Sequence, residues 1–304
     1  MAGDTVYDAV VGSTNLRQVT NVRIEERANV VRDRISGDYL TSQVSVTSSE
    51  PMISLTTQDV KTAFSDFTLA GVLSVSSGTI TIPFQQRSAA GLFSGGSNNN
   101  TIGATDGVCV ITTVSARLGD SAGVTADCEI HVLSTDGTTH PLSVNTNQSL
   151  ASSSFTGSYS MGPVTLDPTG AGALAEVDRI TSWQVNVGNV VTRYTYGADD
   201  YPTEVDISEV NPTASFTFED MDTAQSFATQ VEDYTAINLW AQARASGGRH
   251  TSSASSAHIK IAFSDGVKIL DVIEGSDRGR VSGTVTGEAA TVPTVTADTA
   301  IALS

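Results

Sequence analysis

Polar and apolar side chains alternate in several short stretches of this chain. The alternation runs through residues 21–24 and 43–46, and it returns at 79–84, 107–116 and 128–134. A period of two residues is typical of half-buried antiparallel strands that turn one face towards a core. The pattern therefore predicts a mainly β protein.

One stretch after the second predicted strand follows a helical period instead. Thr57 and Asp59 supply a helix start, and Val60, Ala63 and Phe64 follow at the spacing of an apolar helix face. We therefore predict one amphipathic helix directly after this strand.

Residues 19–63 return about 161 positions later in the chain. Ile180-Thr181 corresponds to Val19-Thr20, and Pro212 corresponds to Pro51. Scattered identities in the same order indicate a duplication, and a period of this length is too long for a solenoid. The chain is therefore predicted to contain one structural unit twice, including a second helix.

The repeat predicts two tandem domains, residues 1–157 and 158–304, each a β-sandwich or barrel flanked by one α-helix. A Ser-rich linker at 148–157 marks the boundary. The first domain carries a longer loop region at 88–113, whose Gly-, Ser- and Asn-rich start predicts an exposed loop. Residues 1–18 are predicted to form a short polar arm.

The composition narrows the class of protein. The 304 residues are 39% hydrophobic and only 16% charged, which is typical of β-rich virion and extracellular proteins. A formal net charge of -17 excludes binding of nucleic acid through neutralised phosphates. It fits a surface past which nucleic acid slides, but the charge alone favours an acidity that only keeps the protein soluble. No signal peptide and no membrane span are predicted.

Two cysteines, Cys109 and Cys128, lie in neighbouring predicted strands. A disulfide between them is geometrically possible, but two residues do not form a disulfide framework. Two buried thiols are the favoured interpretation.

An acidic cluster comprises Asp199, Asp200, Glu204, Asp206 and Glu209. Calcium takes several oxygen ligands, but no loop with fixed ligand spacing is present. Strand alternation puts Glu204 and Asp206 on one face, so a solvated or channel-facing row is favoured. The histidines lack zinc spacing, and no Ser, His and Asp arrangement is defined. We predict neither an enzyme nor a cofactor.

The aromatic residues allow a further interpretation. Trp183 and Trp240, with Tyr194, Tyr196 and Tyr201, are a possible carbohydrate platform. Trp183 stands where the first copy has Val22, and this correspondence favours a place in a core or an interface.

Several stretches resemble the major tail tube protein of long-tailed, non-contractile (siphovirus-like) bacteriophages, in a version with two tandem tube domains. The resemblance covers most of the chain, and it depends on the order in which these stretches occur. They are residues 19–24, Asp38-Tyr39 with Asp200-Tyr201-Pro202-Thr203, residues 79–91, Thr135-Asp136-Gly137 and residues 159–164.

The resemblance implies a structural virion protein that self-assembles as stacked rings of six tube domains. Two domains per chain then imply a trimer with pseudo-sixfold symmetry, whose inner sheets join around a DNA channel. It also implies a tape-measure protein and tail-terminator or tip proteins as partners, and viral DNA that passes without specific binding. The expected location is the virion tail, assembled in the host cytoplasm, without a membrane.

Residues are carried over on the matching positions. The long loop between the early strands is implied to reach the adjacent ring. The inter-ring contact arms comprise Arg27, Val30, Val31, Arg32, Arg34, Tyr39, Val190, Val191, Arg193 and Tyr201, and the channel-facing acids comprise Asp199, Asp200, Glu204 and Asp206. The alternatives are a tandem β-sandwich adhesin or carbohydrate-binding protein, and a virion decoration or fibre protein.

Overall fold

The computed structural model shows a mainly β protein, with 70% of residues in strands and 2% in helix, which confirms the predicted class. The residues that the structure describes are 4–33, 43–66, 73–75, 79–86, 98–150, 157–167, 175–219, 233–245, 250–275, 281–289 and 293–302. Within these ranges the sheets are antiparallel and do not close into a barrel.

The elements follow one another along the chain with a single helix among the described residues. The strands are β1 Asp4–Val6, β2 Ala9–Val11, β3 Thr14–Leu16, β4 Val19–Asp33, β5 Gln43–Thr57, β6 Leu73–Val75, β7 Ile80–Gln86, β8 Asn99–Ala104, β9 Asp106–Arg117, β10 Thr125–Leu133, β11 Leu142–Gln148, β12 Tyr159–Asp167, β13 Ala175–Glu176, β14 Ile180–Asn186, β15 Asn189–Tyr194, β16 Glu204–Val210, β17 Thr213–Phe218, β18 Asp233–Ala243, β19 His258–Gly275, β20 Val281–Ala289 and β21 Thr294–Thr299, and the helix is α1 Val60–Asp66.

Residues 1–157, here the first half, contain two sets of paired strands. A four-stranded set has the order β4-β5-β10-β9, and a five-stranded set has the order β11-β8-β7-β2-β3, with β1 paired to β7. Apolar side chains of both sets, such as Ile53, Ile130 and Ile82, are fully buried in a shared core. The strands form because alternate residues supply this apolar face.

Residues 158–304, here the second half, repeat this pairing pattern strand by strand. The four-stranded set is β14-β17-β20-β19, and the five-stranded set is β13-β12-β18-β19-β21. The long strand β19 takes the places of both β8 and β9. Because β19 runs through both sets, they belong to one sheet in this half, and this sheet has thirteen strands when those of the first half are included.

The repeat extends to the register of the first hairpin in each half. Val22 pairs with Leu55 in the first hairpin, and Trp183 pairs with Phe216 in the second. Trp183 lies 161 residues after Val22, and Phe216 lies 161 residues after Leu55. The register shift after Asn29 also recurs at the corresponding place, between Val190 and Val191.

The two halves are joined within one sheet, because β14 of the second half pairs with β9 of the first. The predicted division at residues 157 and 158 therefore stays a prediction. Helix α1 begins where expected, with the Asp59 carboxylate accepting from Thr62 N at 3.4 Å. The second predicted helix falls largely on residues 220–232, which lie outside the described residues.

Two expectations about irregular segments were wrong. The end of the predicted loop forms strand β8. Asn99 is buried there, and its side chain accepts a hydrogen bond from Gln86 N and donates one to Gln148 O. A residue type that is common in loops thus satisfies its polar groups inside the sheet. The predicted polar arm contains three short strands, since Ala9, Val11 and Leu16 supply buried apolar side chains.

The second hairpin differs from the first in one place. Strands β4 and β5 are continuous over 15 residues each, whereas the second hairpin is divided into β14–β17 and β15–β16 at Gly188. Gly188 adopts a φ of 66°, and a Cβ there would collide with the backbone of Asn211. The left-handed conformation and the close approach both require glycine.

We expect the substitution Gly188→Ala to lower the free energy of unfolding by about 2–3 kcal/mol, because alanine meets both the backbone penalty and the collision. Gly197→Ala is the matched control, since Gly197 has a φ of 59° but open space around it. That variant should lose only about 1 kcal/mol. Urea unfolding followed by circular dichroism measures both, and equal losses would contradict the role assigned to Asn211.

Candidate functional site

The junction between the halves is a backbone-to-backbone contact of two sheet edges. Residues 113–117 of β9 pair with 182–186 of β14 in antiparallel register. Leu118 N donates to Thr181 O at 2.8 Å, and Val187 N donates to Thr112 O at 3.0 Å, so the ladder continues at both ends. An edge strand presents a row of unpaired backbone groups, and this junction satisfies the edges of both halves.

A second contact lies beside this junction. The turn between β15 and β16 packs on the first half, because Asp200 N and Tyr201 N both donate to Gly137 O, at 2.7 and 2.9 Å. Ser49 N in turn donates to Asp200 O at 2.7 Å, and Ser134 N donates to Pro202 O at 2.9 Å. The distal part of the second hairpin is thus held against the first half by main-chain hydrogen bonds.

An ion pair crosses the same contact. Arg193 Nη2 lies 2.7 Å from Glu50 Oε2, and the two side chains are only 14% and 25% exposed. His131 is buried beside them. Burial, and after it the positive charge of Arg193, lower the pKa of His131 to about 4, although Glu50 opposes the shift. Solvent exclusion makes such a pair stronger than a surface ion pair.

The predicted contact-arm residues of the second half are divided between this contact and solvent. Arg193 and Tyr201 face the first half, where the Tyr201 ring lies 5.2 Å from that of His140. Val191 is half-buried and Val190 is 45% exposed. A role of these residues between rings stays a prediction.

The predicted contact-arm residues of the first half are exposed on β4, apart from half-buried Val30. Arg27, Val31 and Arg32 face solvent there, and Arg34 and Tyr39 lie outside the described residues. On the paired strand β5, Val44 and Val46 are 60% and 62% exposed. Their counterparts at the 161-residue offset, Val205 and Ile207, are half-buried in the second half.

The predicted channel-facing acids lie on the second hairpin. Glu204 and Asp206 are exposed on alternate positions of β16, and Tyr196 donates its hydroxyl proton to Glu204 at 2.6 Å. Asp199 and Asp200 lie in the turn that contacts Gly137. No group of metal-ligating residues occurs in the described ranges, and a channel-facing role of the four acids stays a prediction.

Sequence reasoning missed a polar face that the four-stranded sets form together. Ser115 of β9 and Thr125 of β10 lie side by side on it with hydroxyl oxygens 3.3 Å apart, and Thr217 of β17 and Thr284 of β20 form a similar contact at 3.2 Å. A groove of about 480 Å³ crosses this face at the junction between the halves. The sequence feature that indicates this face is the Ser and Thr residues at alternate strand positions. That they share one face becomes clear only when the order of the strands is known.

Most of the remaining candidate residues are buried. Trp183 and Trp240 are 1% and 3% exposed, and Tyr201 is half-buried against His140. The exposed part of the carbohydrate platform is therefore Tyr194 and Tyr196, which stack with ring centres 6.1 Å apart. Cys109 and Cys128 are buried free thiols. The pKa of Cys109 is well above its usual range because of its hydrogen bond with Cys128, its burial and the charge of that neighbour.

Buried His131 predicts a pH-dependent stability. Its folded-state pKa of about 4 lies below the ordinary value of 6.5, so the unfolded state binds more protons between these values. This contribution is present above pH 6.5 and is lost as the pH falls towards 4, at up to about 1.4 kcal/mol per pH unit. We expect His131→Gln to flatten the fall in the urea midpoint between pH 6.5 and 4. Parallel profiles of the variant and the wild type would contradict this assignment.

Comparisons with known proteins do not identify a family. No protein-family model matches the chain, and no curated protein matches it. Among the described residues, no helix has the length and apolar character needed to span a membrane. The two sheet edges and the hairpin contact are therefore the features of the molecule that bear on its function.

Proposed function

We propose that this protein is a structural virion protein whose chains join edge to edge into closed rings, and that stacked rings form a phage tail tube for genome ejection. The observation that supports this most directly is the β9–β14 junction. It is a sheet-edge contact between two copies of the same structural unit, already formed within one chain. The same contact between chains extends the sheet.

A contact of this kind between chains needs one free edge at each end of the four-stranded sets, and both edges are present. Among the described strands β4 pairs only with β5, so its outer edge has no partner strand. At the other end, residues 268–275 of β19 pair on one side only, with β20. These two edges are the counterparts of β14 and β9.

The register of the contact between chains follows from the repeat. Thr56 and Thr217 are counterparts at the 161-residue offset. Across the next two strands of each set, the register leads from Thr56 to Thr113 and from Thr217 to Val272. Thr113 and Val272 are therefore counterparts as well. Thr113 pairs with Asn186 in the junction. Val272 of one copy is therefore assigned to Glu25 of its neighbour, and residues 272–275 pair with 22–25.

Repeated edge pairing of this kind is heterologous, so it closes a ring when the rotation between units permits. Each chain contributes eight strands to the continuous sheet. Three chains then supply about 24 strands, and a strand spacing of about 4.8 Å gives a backbone diameter of roughly 37 Å before strand tilt widens it. A trimer with pseudo-sixfold symmetry thus leaves room for a channel.

The polar face of the four-stranded sets fits the lining of that channel. Its serines and threonines offer hydrogen-bonding groups without a row of cations, and the chain carries a net charge of -17. Such a surface does not retain DNA by neutralising phosphates. In this proposal a tape-measure protein fills the channel during assembly, tail-terminator or tip proteins bound the tube, and Glu204 and Asp206 lie towards one opening.

Electron microscopy of the purified protein by negative stain, with native mass spectrometry, tests the proposal. Rings of three chains or stacked tubes are the expected result. Monodisperse monomers at all concentrations would contradict the assembly, and monomers that bind glycans through Tyr194 and Tyr196 would favour the adhesin alternative.

A further inference from the structure

The contact between the second hairpin and the first half provides a template for a second contact between chains. Arg193 on the hairpin meets Glu50 on β5, with His131 on β10 beside them. The 161-residue offset assigns Arg32 as the counterpart of Arg193 and Asn211 as the counterpart of Glu50.

The counterpart of His131 follows from the strand register. His131 pairs with Met52, and Glu288 pairs with Thr213, which lies 161 residues after Met52. Glu288 on β20 therefore takes the place of His131. Where the template has an acid on β5 and a neutral histidine on β10, the corresponding surface of the second half has a neutral Asn211 and an acid on β20.

The first hairpin carries the cation but lacks the opposing surface. Arg32 is exposed and has no ion pair among the described residues, while Val44 and Val46 are about 60% exposed. Their counterparts Val205 and Ile207 are half-buried. Among the described residues, the first half covers the second hairpin, whereas no described element covers the first hairpin in the same way. The second half of another copy presents the surface that corresponds to the first half, so we take a second copy as the partner.

We propose that the distal part of the β4–β5 hairpin docks on the second half of a neighbouring copy in the same ring, with Arg32 facing Glu288 of that copy. The inference rests on the proposed ring, and it assigns this hairpin to a lateral neighbour within the ring. The acid that faces Arg193 lies on β5, whereas the acid that would face Arg32 lies on β20, the counterpart of the neighbouring strand β10. The contact between chains therefore keeps the charge complementarity of the template.

Charge reversal tests this pair in the full-length protein. We expect Arg32→Glu and Glu288→Arg each to raise the concentration needed for ring assembly about tenfold, because each creates a like-charge contact. The double variant Arg32→Glu/Glu288→Arg should return to within about threefold of the wild type. Arg179→Glu, which reverses an exposed cation that has no ion pair among the described residues, is the matched control and should assemble as the wild type does. Sedimentation velocity gives the assembly concentration, and circular dichroism verifies the fold.

The outcomes separate this inference from the function on which it rests. A wild-type protein that forms no rings would overturn the proposed function and this contact together. Wild-type rings with an Arg32→Glu variant that assembles normally would overturn the hairpin contact alone. Impaired single variants without recovery in the double variant would overturn the pairing of Arg32 with Glu288.

Discussion

Replacement of Ile24 by proline is expected to abolish ring assembly while the chain remains folded. In the internal junction, Thr181 O and Val187 N are bonded to β9, so alternate residues of β14, including Val185, direct their backbone groups towards β9. Ile24 is the counterpart of Val185 on β4. Its N–H therefore points to the free edge and is not needed for pairing with β5.

Proline removes this N–H and inserts its ring into the contact with the neighbouring strand. The assembly concentration should rise by at least tenfold, since a loss of about 1.4 kcal/mol per contact already has this effect. Proline is tolerated on edge strands, so the monomer should retain its circular dichroism spectrum.

Ile24→Ala is the matched control for this experiment. It removes the half-buried side chain but keeps the N–H, so the variant should be less stable to urea and still form rings. Rings of the proline variant at the wild-type concentration, seen by negative stain, would exclude β4 as an assembly edge.

The equivalence of the two hairpin registers could be predicted from the sequence, because both strands of the first hairpin recur at the same 161-residue spacing. Val22 and Leu55 are displaced equally from Trp183 and Phe216, so any pairing of one hairpin fixes the other. The helix start was also predictable, since Asp59 acts through the residues that directly follow it.

The junction between the halves was not predictable from local patterns. Arg117 pairs with Ser182 across 65 positions of sequence, and alternation alone does not specify which edges meet. The same gap affected the site residues. The resemblance assigned Arg193 to a contact arm between rings, and only the strand order places it beside Glu50.

Loss of the Trp183 side chain is the second large effect that we expect. Trp183 lies on β14 opposite Ala116 of β9, and it is 1% exposed in the core behind the junction. Trp183→Ala should lower the free energy of unfolding by about 3–5 kcal/mol, because it removes a large buried side chain and leaves a cavity. Urea unfolding followed by circular dichroism measures the loss.

The repeat supplies the control, since Val22 is the counterpart of Trp183 and lies half-buried on the free edge strand. Val22→Ala should cost only about 1–2 kcal/mol in the monomer, because less apolar surface is lost. A ring buries this edge, so the loss caused by Val22→Ala should grow on assembly, whereas the loss caused by Trp183→Ala should be the same in both states. Equal losses for Val22→Ala in monomer and ring would mean that β4 stays uncovered in the assembly.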